Sequence, residues 1–166
     1  MSQAKRPSLR IEPYRPEDRP AVIGFMDAIQ EHERRMVPEL KPGNEIGRFH
    51  TDRVLRKVAL RHGVALMAKA DGEAVGFASA WVDIDDDPLL KDEAQGQGYV
   101  SDIYVVPEWR RRGVARLLLG RLDEAMRERG CRRMAICSKA ANFMAVQCYA
   151  AVGYRPYEVI LWKPLA

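Results

Sequence analysis

Residues 99–115 decide how this chain folds, and they read Tyr-Val-Ser-Asp-Ile-Tyr-Val-Val-Pro-Glu-Trp-Arg-Arg-Arg-Gly-Val-Ala. The stretch from Tyr99 to Val106 is typical of a strand. After it, apolar residues recur at helical spacing from Val114 to Met126, and Gly130 stands where a helix should stop. The sequence therefore predicts a strand that passes through an arginine–glycine turn directly into a helix.

This junction has the chemistry of an anion site. The first turn of a helix leaves backbone N–H groups unpaired and carries roughly half a positive charge, so it binds a phosphate group well. Gly113 lets the backbone approach a ligand closely, the small Ala115 leaves room, and the arginines 110–112 add positive charge. A diphosphate fits the turn, although a solvated basic turn with no ligand is an alternative. Neither G-x-x-x-x-G-K-[ST] nor G-x-G-x-x-G is present, which disfavours a nucleoside triphosphate enzyme or a dinucleotide dehydrogenase.

The rest of the chain predicts alternating strands and helices around this junction. Its periodicity and turn signals give an α/β fold with a mixed sheet, in the order β-α-α-β-β-β-α-β-α-β. Besides the strand 99–106 and the helix 114–129, the expected strands are 9–14, 64–69, 74–82, 132–137 and 157–162, and the expected helices are 17–32, 45–61 and 142–152.

Composition excludes several classes of protein. A chain of 166 residues, 47% apolar and 30% charged, fits one globular domain, expected over residues 9–166 after a flexible leader of residues 1–8. No apolar stretch is long enough to cross a bilayer. The three cysteines are odd in number and lack a C-x-x-C pair, so reduced thiols in the cytoplasm are expected, with no metal site. The three histidines, His50 among them, are expected at the surface or its boundary.

Two motifs resemble the general-control-related N-acetyltransferase superfamily, known as GNAT. Val105-x-Pro107-x-x-Arg-Arg-Arg-Gly113-Val-Ala115 is similar to the family's signature between a strand and a helix. The later stretch Asn142-Phe-Met-Ala-Val-Gln-Cys-Tyr149-Ala-Ala-Val-Gly153-Tyr154 is similar to the family's Asn...Tyr...Gly-Phe helix, with Cys148 and Tyr154 departing from the usual residues. The strong resemblance covers residues 98–155, about a third of the chain, and the element order agrees along nearly all of it.

The resemblance implies a fold, a cofactor and an activity. It implies a mostly antiparallel sheet with helices on both faces, and transfer of an acetyl group from acetyl-coenzyme A to a primary amine. The strand residues Ile103, Tyr104 and Val105 would splay from the next strand and hold the pantetheine arm. Asn142 would help to hold that arm, although it is equally suited to cap a helix. The pyrophosphate would lie on the turn formed by Arg110, Arg111, Arg112, Gly113, Val114 and Ala115.

The reaction needs groups that move protons. An alkylamine with a pKa near 10.4 is mostly protonated at neutral pH, so its proton must be removed before it attacks. The resemblance implies that Tyr149 is the general acid for the departing thiolate, whereas spacing alone would make it a core aromatic. Asp102 is a candidate base, acting directly or through water. Strict alternation along the strand predicts that its side chain points to the face opposite Tyr99.

The sequence gives less information about the amine that accepts the acetyl group. The resemblance puts the acceptor wall at residues 30–35, which include Glu31 and Glu33, and at the acidic loop 83–93. Negative charge there would attract a polyamine, a sugar amine or a basic peptide end, but a solvated loop with no role remains an alternative.

Two other functions and one assembly stay open from the sequence. A coenzyme A-binding module without turnover is the first rival, and a nucleic-acid binder that uses the arginines at 110–112 and 132–133 is a more distant one. The apolar residues 159–162 could pair with a second copy to form a homodimer, as tails in the resembling family often do.

Overall fold

A computed structural model describes residues 8–84, 89–91 and 95–165 of the chain, and it contains a five-stranded sheet. The strands lie in the order β1-β2-β3-β4-β5 and are antiparallel except for the last pair, β4 and β5, which is parallel. Their bounds are Leu9–Pro13 for β1, Val64–Ala70 for β2, Glu73–Ile84 for β3, Gly96–Val105 for β4 and Met134–Ile136 for β5.

Helices cover both faces of this sheet, which confirms the predicted fold class. The helices α1 and α2 pack on one face and α3 packs on the other. Their bounds are Arg19–Arg34 for α1, Gly43–Leu60 for α2, Val114–Glu128 for α3 and Phe143–Ala150 for α4, with short 3-10 turns at Pro16–Asp18 and Pro107–Trp109. Within the described ranges, no helix combines the length and the apolar character needed to cross a membrane.

Each face of the sheet has its own apolar core, because side chains alternate along the strands. On β3, Phe77 and Trp81 point toward α1 and α2, while Ala78 and Ala80 point toward α3. The buried stripe of α3 consists of Val114, Leu118, Leu119, Leu122 and Met126. Leu117, expected on this stripe from its spacing, is instead 49% exposed.

Two glycines set the position of α2 against α1. A Cβ atom at Gly43 would meet the backbone oxygen of Asp27, and one at Gly47 would meet the carboxylate of the same residue. Neither space can hold a side chain, so the two helices approach more closely than larger residues would allow. The close contact fixes the following turn of α2, which carries His50, above the sheet.

A bulge in β4 changes which side chains share a face. Asp102 pairs with Ser79 and Val100 pairs with Ala80, so the extra residue Ser101 has no partner of its own on β3. The bulge resets the alternation, and Asp102 lies on the same face as Tyr99, toward α1 and α2. The prediction that Asp102 points to the face opposite Tyr99 is therefore wrong.

The parallel pair at the edge of the sheet is short. β4 and β5 are paired only from Gly98 with Met134 to Val100 with Ile136. Beyond Val100, β4 continues for five residues along β3, and within residues 8–84, 89–91 and 95–165 no strand pairs with its other side. The sheet therefore has an open edge at residues 101–105.

Two expected segments differ from the prediction or lie outside the description. The last strand, expected at residues 157–162, is not formed: these residues are exposed to solvent and pair with no strand in the described part of the chain. Most of the acidic loop expected at 83–93 lies outside the described residues, as does most of the leader. β3 itself continues into the expected loop as far as Ile84.

Candidate active site

The turn before α3 presents unpaired backbone amides. Gly113 is the N-cap residue in the left-handed conformation, with φ of 83°, and no side chain caps the helix. The first helical bond runs from the N–H of Leu117 to the carbonyl of Gly113, so the N–H groups of residues 114–116 have no partner among the described residues. A Cβ atom at Gly113 would meet no other atom within 4 Å, which leaves the space in front of the turn open.

The three arginines of the turn do not act alike. The Nε atom of Arg110 donates to the backbone oxygen of Val105 at 3.0 Å, and its guanidinium lies 5.7 Å from the ring centre of Tyr104. Arg112 lies over the ring of Trp109 at 5.1 Å. Arg111 is exposed and has a positive φ of 61°. Arg110 thus ties the turn to the strand, while the other two place positive charge at its exposed side.

The open edge of β4 leads to this turn. The N–H of Val106 donates to the carbonyl of Val75 at 3.0 Å, on the β3 side. Successive N–H groups alternate between the two sides of a strand, so the N–H of Val105 faces the open edge. Ile103 and Val105 therefore line an edge that ends at the uncapped helix, and the cofactor contacts that the resemblance implies for residues 103–105 and 110–115 stay a prediction.

Tyr149 on α4 interacts with residues on both faces of the sheet. Its ring packs against the core on the α3 face, yet its hydroxyl group senses Glu33 on α1 and Asp102 on β4, which belong to the other face. Burial first, and then the charges of Cys148, Glu33 and Asp102, together raise the pKa of Tyr149 to about 12. The phenol is therefore protonated at neutral pH and can serve as a hydrogen-bond donor.

Asn142 has a structural role in this arrangement. Its side-chain oxygen accepts a hydrogen bond from the N–H of Ala145 at 3.3 Å, so it caps α4. The cap fixes the start of the helix that carries Tyr149. A contact with pantetheine stays a prediction for the same residue.

Asp102 is engaged by two neighbours in a way that the sequence did not indicate. His50 Nε2 lies 2.8 Å from Asp102 Oδ1, and the hydroxyl of Ser101 donates to Asp102 Oδ2 at 2.5 Å. His50 belongs to α2, which is 52 positions away along the chain. No local sequence motif links the two residues. Their contact depends on how α2 packs on the sheet, so it could be recognised only from the structure.

The two glutamates expected at the acceptor wall have different surroundings. Glu31 is a weak acceptor for the N–H of Gly43 and for Arg34 Nε, both at 3.4 Å, so it helps to join α1 to α2. Glu33 is the glutamate whose charge acts on Tyr149.

The comparisons with known proteins identify the family. The profile described as "Acetyltransferase (GNAT) family" matches residues 23–154, which is most of the chain. The chain belongs to the GNAT acetyltransferase family, as its two motifs predicted.

Curated relatives carry a more specific name. The chain is 33% identical over 99 residues to an aminoglycoside N(6')-acetyltransferase type 1 of Stenotrophomonas maltophilia, a match that covers 60% of this chain and 63% of that protein. It is 30% identical over 101 residues to the protein of the same name from Salmonella typhimurium, covering 61% of this chain and 68% of the relative. The match thus spans a little under two thirds of the first relative.

Solved structures share the fold. The aminoglycoside N-acetyltransferase AAC(6')-Iy in complex with CoA aligns with a TM-score of 0.72 at 20% identity, over 99% of both chains. A mutant protein of Bacillus halodurans aligns with a TM-score of 0.82 at 18% identity, over 95% of this chain and 99% of that one. At these identities the likeness supports the fold alone.

Replacing Gly113 by valine should weaken the binding of acetyl-coenzyme A at least tenfold. A β-branched residue is strained at φ of 83°, and its side chain would project into the open space before the amides. Titration calorimetry at a temperature where circular dichroism shows the variant folded measures the effect.

Gly120→Val is the matched control, because Gly120 is exposed within the same helix and an added Cβ would meet nothing there. Equal affinities for the Gly113 variant, the Gly120 variant and the parent would show that the turn does not hold the cofactor.

Proposed function

We propose that the protein transfers the acetyl group of acetyl-coenzyme A to a primary amine. The observation that carries this proposal is the continuity between the open edge of β4 and the uncapped N-terminus of α3. An extended amide-bearing arm joined to a diphosphate needs such a pair of surfaces: a free strand edge for its amides and an amide-lined turn for its phosphates.

The donor would lie along the edge with its pyrophosphate at the turn. The N–H groups of Val114, Ala115 and Arg116 would donate to phosphate oxygens, and the exposed Arg111 and Arg112 would balance the charge. The pantetheine arm would run beside Ile103, Tyr104 and Val105, with Asn142 near its path. The thioester would then lie at the end of the open edge that is farther from the turn, toward Asp102 and Tyr149.

Transfer would then proceed by direct attack of the neutral amine on the thioester carbon. Removing a proton from an amine of pKa near 10.4 at pH 7 costs about 4 to 5 kcal/mol, which the site must offset with a proton acceptor. The N–H of Val105, which faces the open edge, would stabilise the oxyanion. Tyr149 would donate a hydrogen bond to the sulfur as the carbon–sulfur bond breaks, since its raised pKa keeps the phenol protonated.

The acceptor we propose is the primary amine of an aminoglycoside-like amino sugar. The names of the curated relatives support this class, and Glu33, whose charge acts on Tyr149, supplies negative charge near the proposed acid. Glu31, at the junction of α1 and α2, would extend the acidic wall. We also propose a cytoplasmic location, as suits a chain with free thiols at its three cysteines.

A thiol-release assay with acetyl-coenzyme A and a panel of amines tests the proposal. The panel contains an aminoglycoside, a polyamine and a lysine-rich peptide, and we expect the largest kcat/KM with the aminoglycoside. Binding of acetyl-coenzyme A without thiol release for any amine would favour the inactive binding module. Salt-sensitive binding of random RNA or DNA, without binding of acetyl-coenzyme A, would favour the nucleic-acid rival.

Replacing Tyr149 by phenylalanine should lower kcat about a hundredfold, because the donor to the departing sulfur is lost while the ring is kept. Steady-state kinetics with saturating acetyl-coenzyme A measure the loss. Tyr154→Phe is the matched control, since its ring lies 6.1 Å from that of Tyr149 and its buried hydroxyl has no hydrogen-bond partner among the described residues. Similar kcat values for both variants would remove Tyr149 from the mechanism.

Replacing Glu33 by glutamine should raise the KM for a cationic amine about fivefold, because one attractive charge near the acceptor is lost. The KM for acetyl-coenzyme A should not change. Glu128→Gln, an exposed change at the far end of α3, controls for the loss of one negative charge. An unchanged amine KM in the Glu33 variant would place the acceptor elsewhere.

We further propose that two copies of the chain associate through the segment 157–165. Tyr157, Val159, Ile160, Leu161, Trp162 and Leu165 are each 78–92% exposed. Covering them would remove on the order of 800 Å² of surface from each partner, which is what a stable interface buries. The edge strand β5, with three residues, offers a place for an added strand.

Light scattering after gel filtration should therefore give about twice the chain mass of 18.9 kDa. Trp162→Glu should shift the protein toward the monomer, because a carboxylate would be buried in the interface. Lys163→Glu, next to it in the same segment, should leave the mass unchanged. A parent protein that stays monomeric at every concentration would contradict the assembly.

A further inference from the structure

We infer that His50 is the proton acceptor for the incoming amine and that Asp102 is the residue that positions and supports it. The inference deepens the proposed acetyl transfer and rests on it. It takes the place of the candidate from the sequence, in which Asp102 is the base, acting directly or through water.

Burial argues against direct contact between the amine and Asp102. Its side chain is 6% exposed, while that of His50 is 29% exposed. Both carboxylate oxygens of Asp102 also have a donor, Ser101 on one side and His50 on the other. A substrate amine would have to displace one of these to reach the carboxylate, whereas part of the imidazole is open to solvent.

The hydrogen bonds also determine which nitrogen of His50 is basic. The hydroxyl of Ser101 donates to Asp102 Oδ2, so Asp102 acts as an acceptor there, and the short contact of 2.8 Å to Oδ1 requires the proton on His50 Nε2. The neutral ring then has its lone pair on Nδ1. No described residue forms a hydrogen bond with that atom, so Nδ1 is available to a substrate.

The charges around the pair favour a cation. The carboxylate of Asp102 stabilises the imidazolium that forms when His50 takes a proton. Of the groups that sense Asp102, Tyr99 and Tyr149 have pKa values raised chiefly by burial, so both are neutral. Glu33, which also acts on Tyr149, adds negative charge from α1. The negative charge of Glu33 and Asp102 favours the approach of the substrate ammonium.

The position of His50 is fixed by the packing of α2. Gly47 allows the close approach to Asp27 on α1, and the hydroxyl of the buried Thr51 donates to the carbonyl of Gly47 at 2.7 Å. His50 lies between these two anchored positions. The ring therefore has a rigid support at one end and Asp102 at the other, as a group that must meet a substrate atom requires.

The proposed step balances as a proton transfer followed by acyl transfer. The N–H bond of the substrate ammonium breaks, its electron pair stays on nitrogen, and the proton binds His50 Nδ1. The neutral amine then attacks the thioester carbon, and the carbon–sulfur bond breaks to release the thiolate. The amide nitrogen loses its second proton, one proton neutralises the thiolate, and the other leaves for solvent from His50.

Kinetics of His50→Gln test the role directly. Glutamine can still donate to Asp102 but does not titrate, so kcat should fall about a hundredfold and the acidic limb of the pH profile of kcat/KM should disappear. His62→Gln, the same change at an exposed position after α2, should keep the parent profile. Asp102→Asn should lower kcat and be distinguished from an unfolded variant by unchanged binding of acetyl-coenzyme A. An unaltered kcat and profile for His50→Gln, in a parent that acetylates amines, would overturn the inference alone.

Nitrogen NMR of the free protein gives a readout that needs no activity. We expect the imidazole of His50 as the tautomer with hydrogen on Nε2, and a shift toward the other tautomer in Asp102→Asn. A parent ring with its proton on Nδ1 would overturn the inference even if the acetyl transfer is found. A parent that binds no acetyl-coenzyme A would overturn the proposed function instead, since the NMR result does not depend on the cofactor.

Discussion

The site depends on the separation of β4 from β5, which leaves backbone groups on one side of β4 without a partner strand in the described chain. A strand inside a sheet satisfies its N–H and C=O groups on both sides, and leaving them unpaired away from water costs free energy. β4 keeps β3 along its whole length but loses β5 after Val100. The resulting edge has unpaired backbone N–H and C=O groups, and an amide-bearing ligand can form hydrogen bonds with them.

The turn that follows β4 also leaves backbone groups unpaired, in this case the first N–H groups of α3. Gly113 adopts a left-handed conformation and ends the turn with no side chain over the first amides of α3. Had a serine or aspartate stood there, its side chain would have capped the helix and occupied the ligand's place. Arg110 bonds the turn back to Val105, so the edge and the helix start are held together as one surface. The order of residues in the motif thus has a structural reason, the hydrogen bond from Arg110 to Val105, as well as a chemical one, the uncapped amides of α3.

Local patterns predicted most of the fold, because helix periodicity and turn residues act within a few positions. The stripe of α3, the strands expected at 64–69 and 74–82, and the turn at Gly113 were all predicted in this way. The bulge at Ser101 was not, since strict alternation holds only where each strand residue has a partner. That single extra residue moves Asp102 to the other face of the sheet. Its pairing with His50 then depends on how α2 packs, which involves residues too far apart for any spacing rule.

The last strand was predicted from apolar residues alone, but a strand also needs a partner, and the described chain offers none beside residues 157–162.

The distribution of charge explains why the net value of +4 said little about the ligands. Arg111 and Arg112 are exposed at the turn before α3, whereas Glu33 on α1 and Asp102 on β4 both act on the pKa of Tyr149. Under the proposed function, a diphosphate would be attracted to the turn before α3 and a cationic amine to the negative charge of Glu33. Such local fields do not depend on the net charge of the chain, which is why the sum of +4 does not reveal them. The two reactants would then meet along β4, where that strand separates from β5.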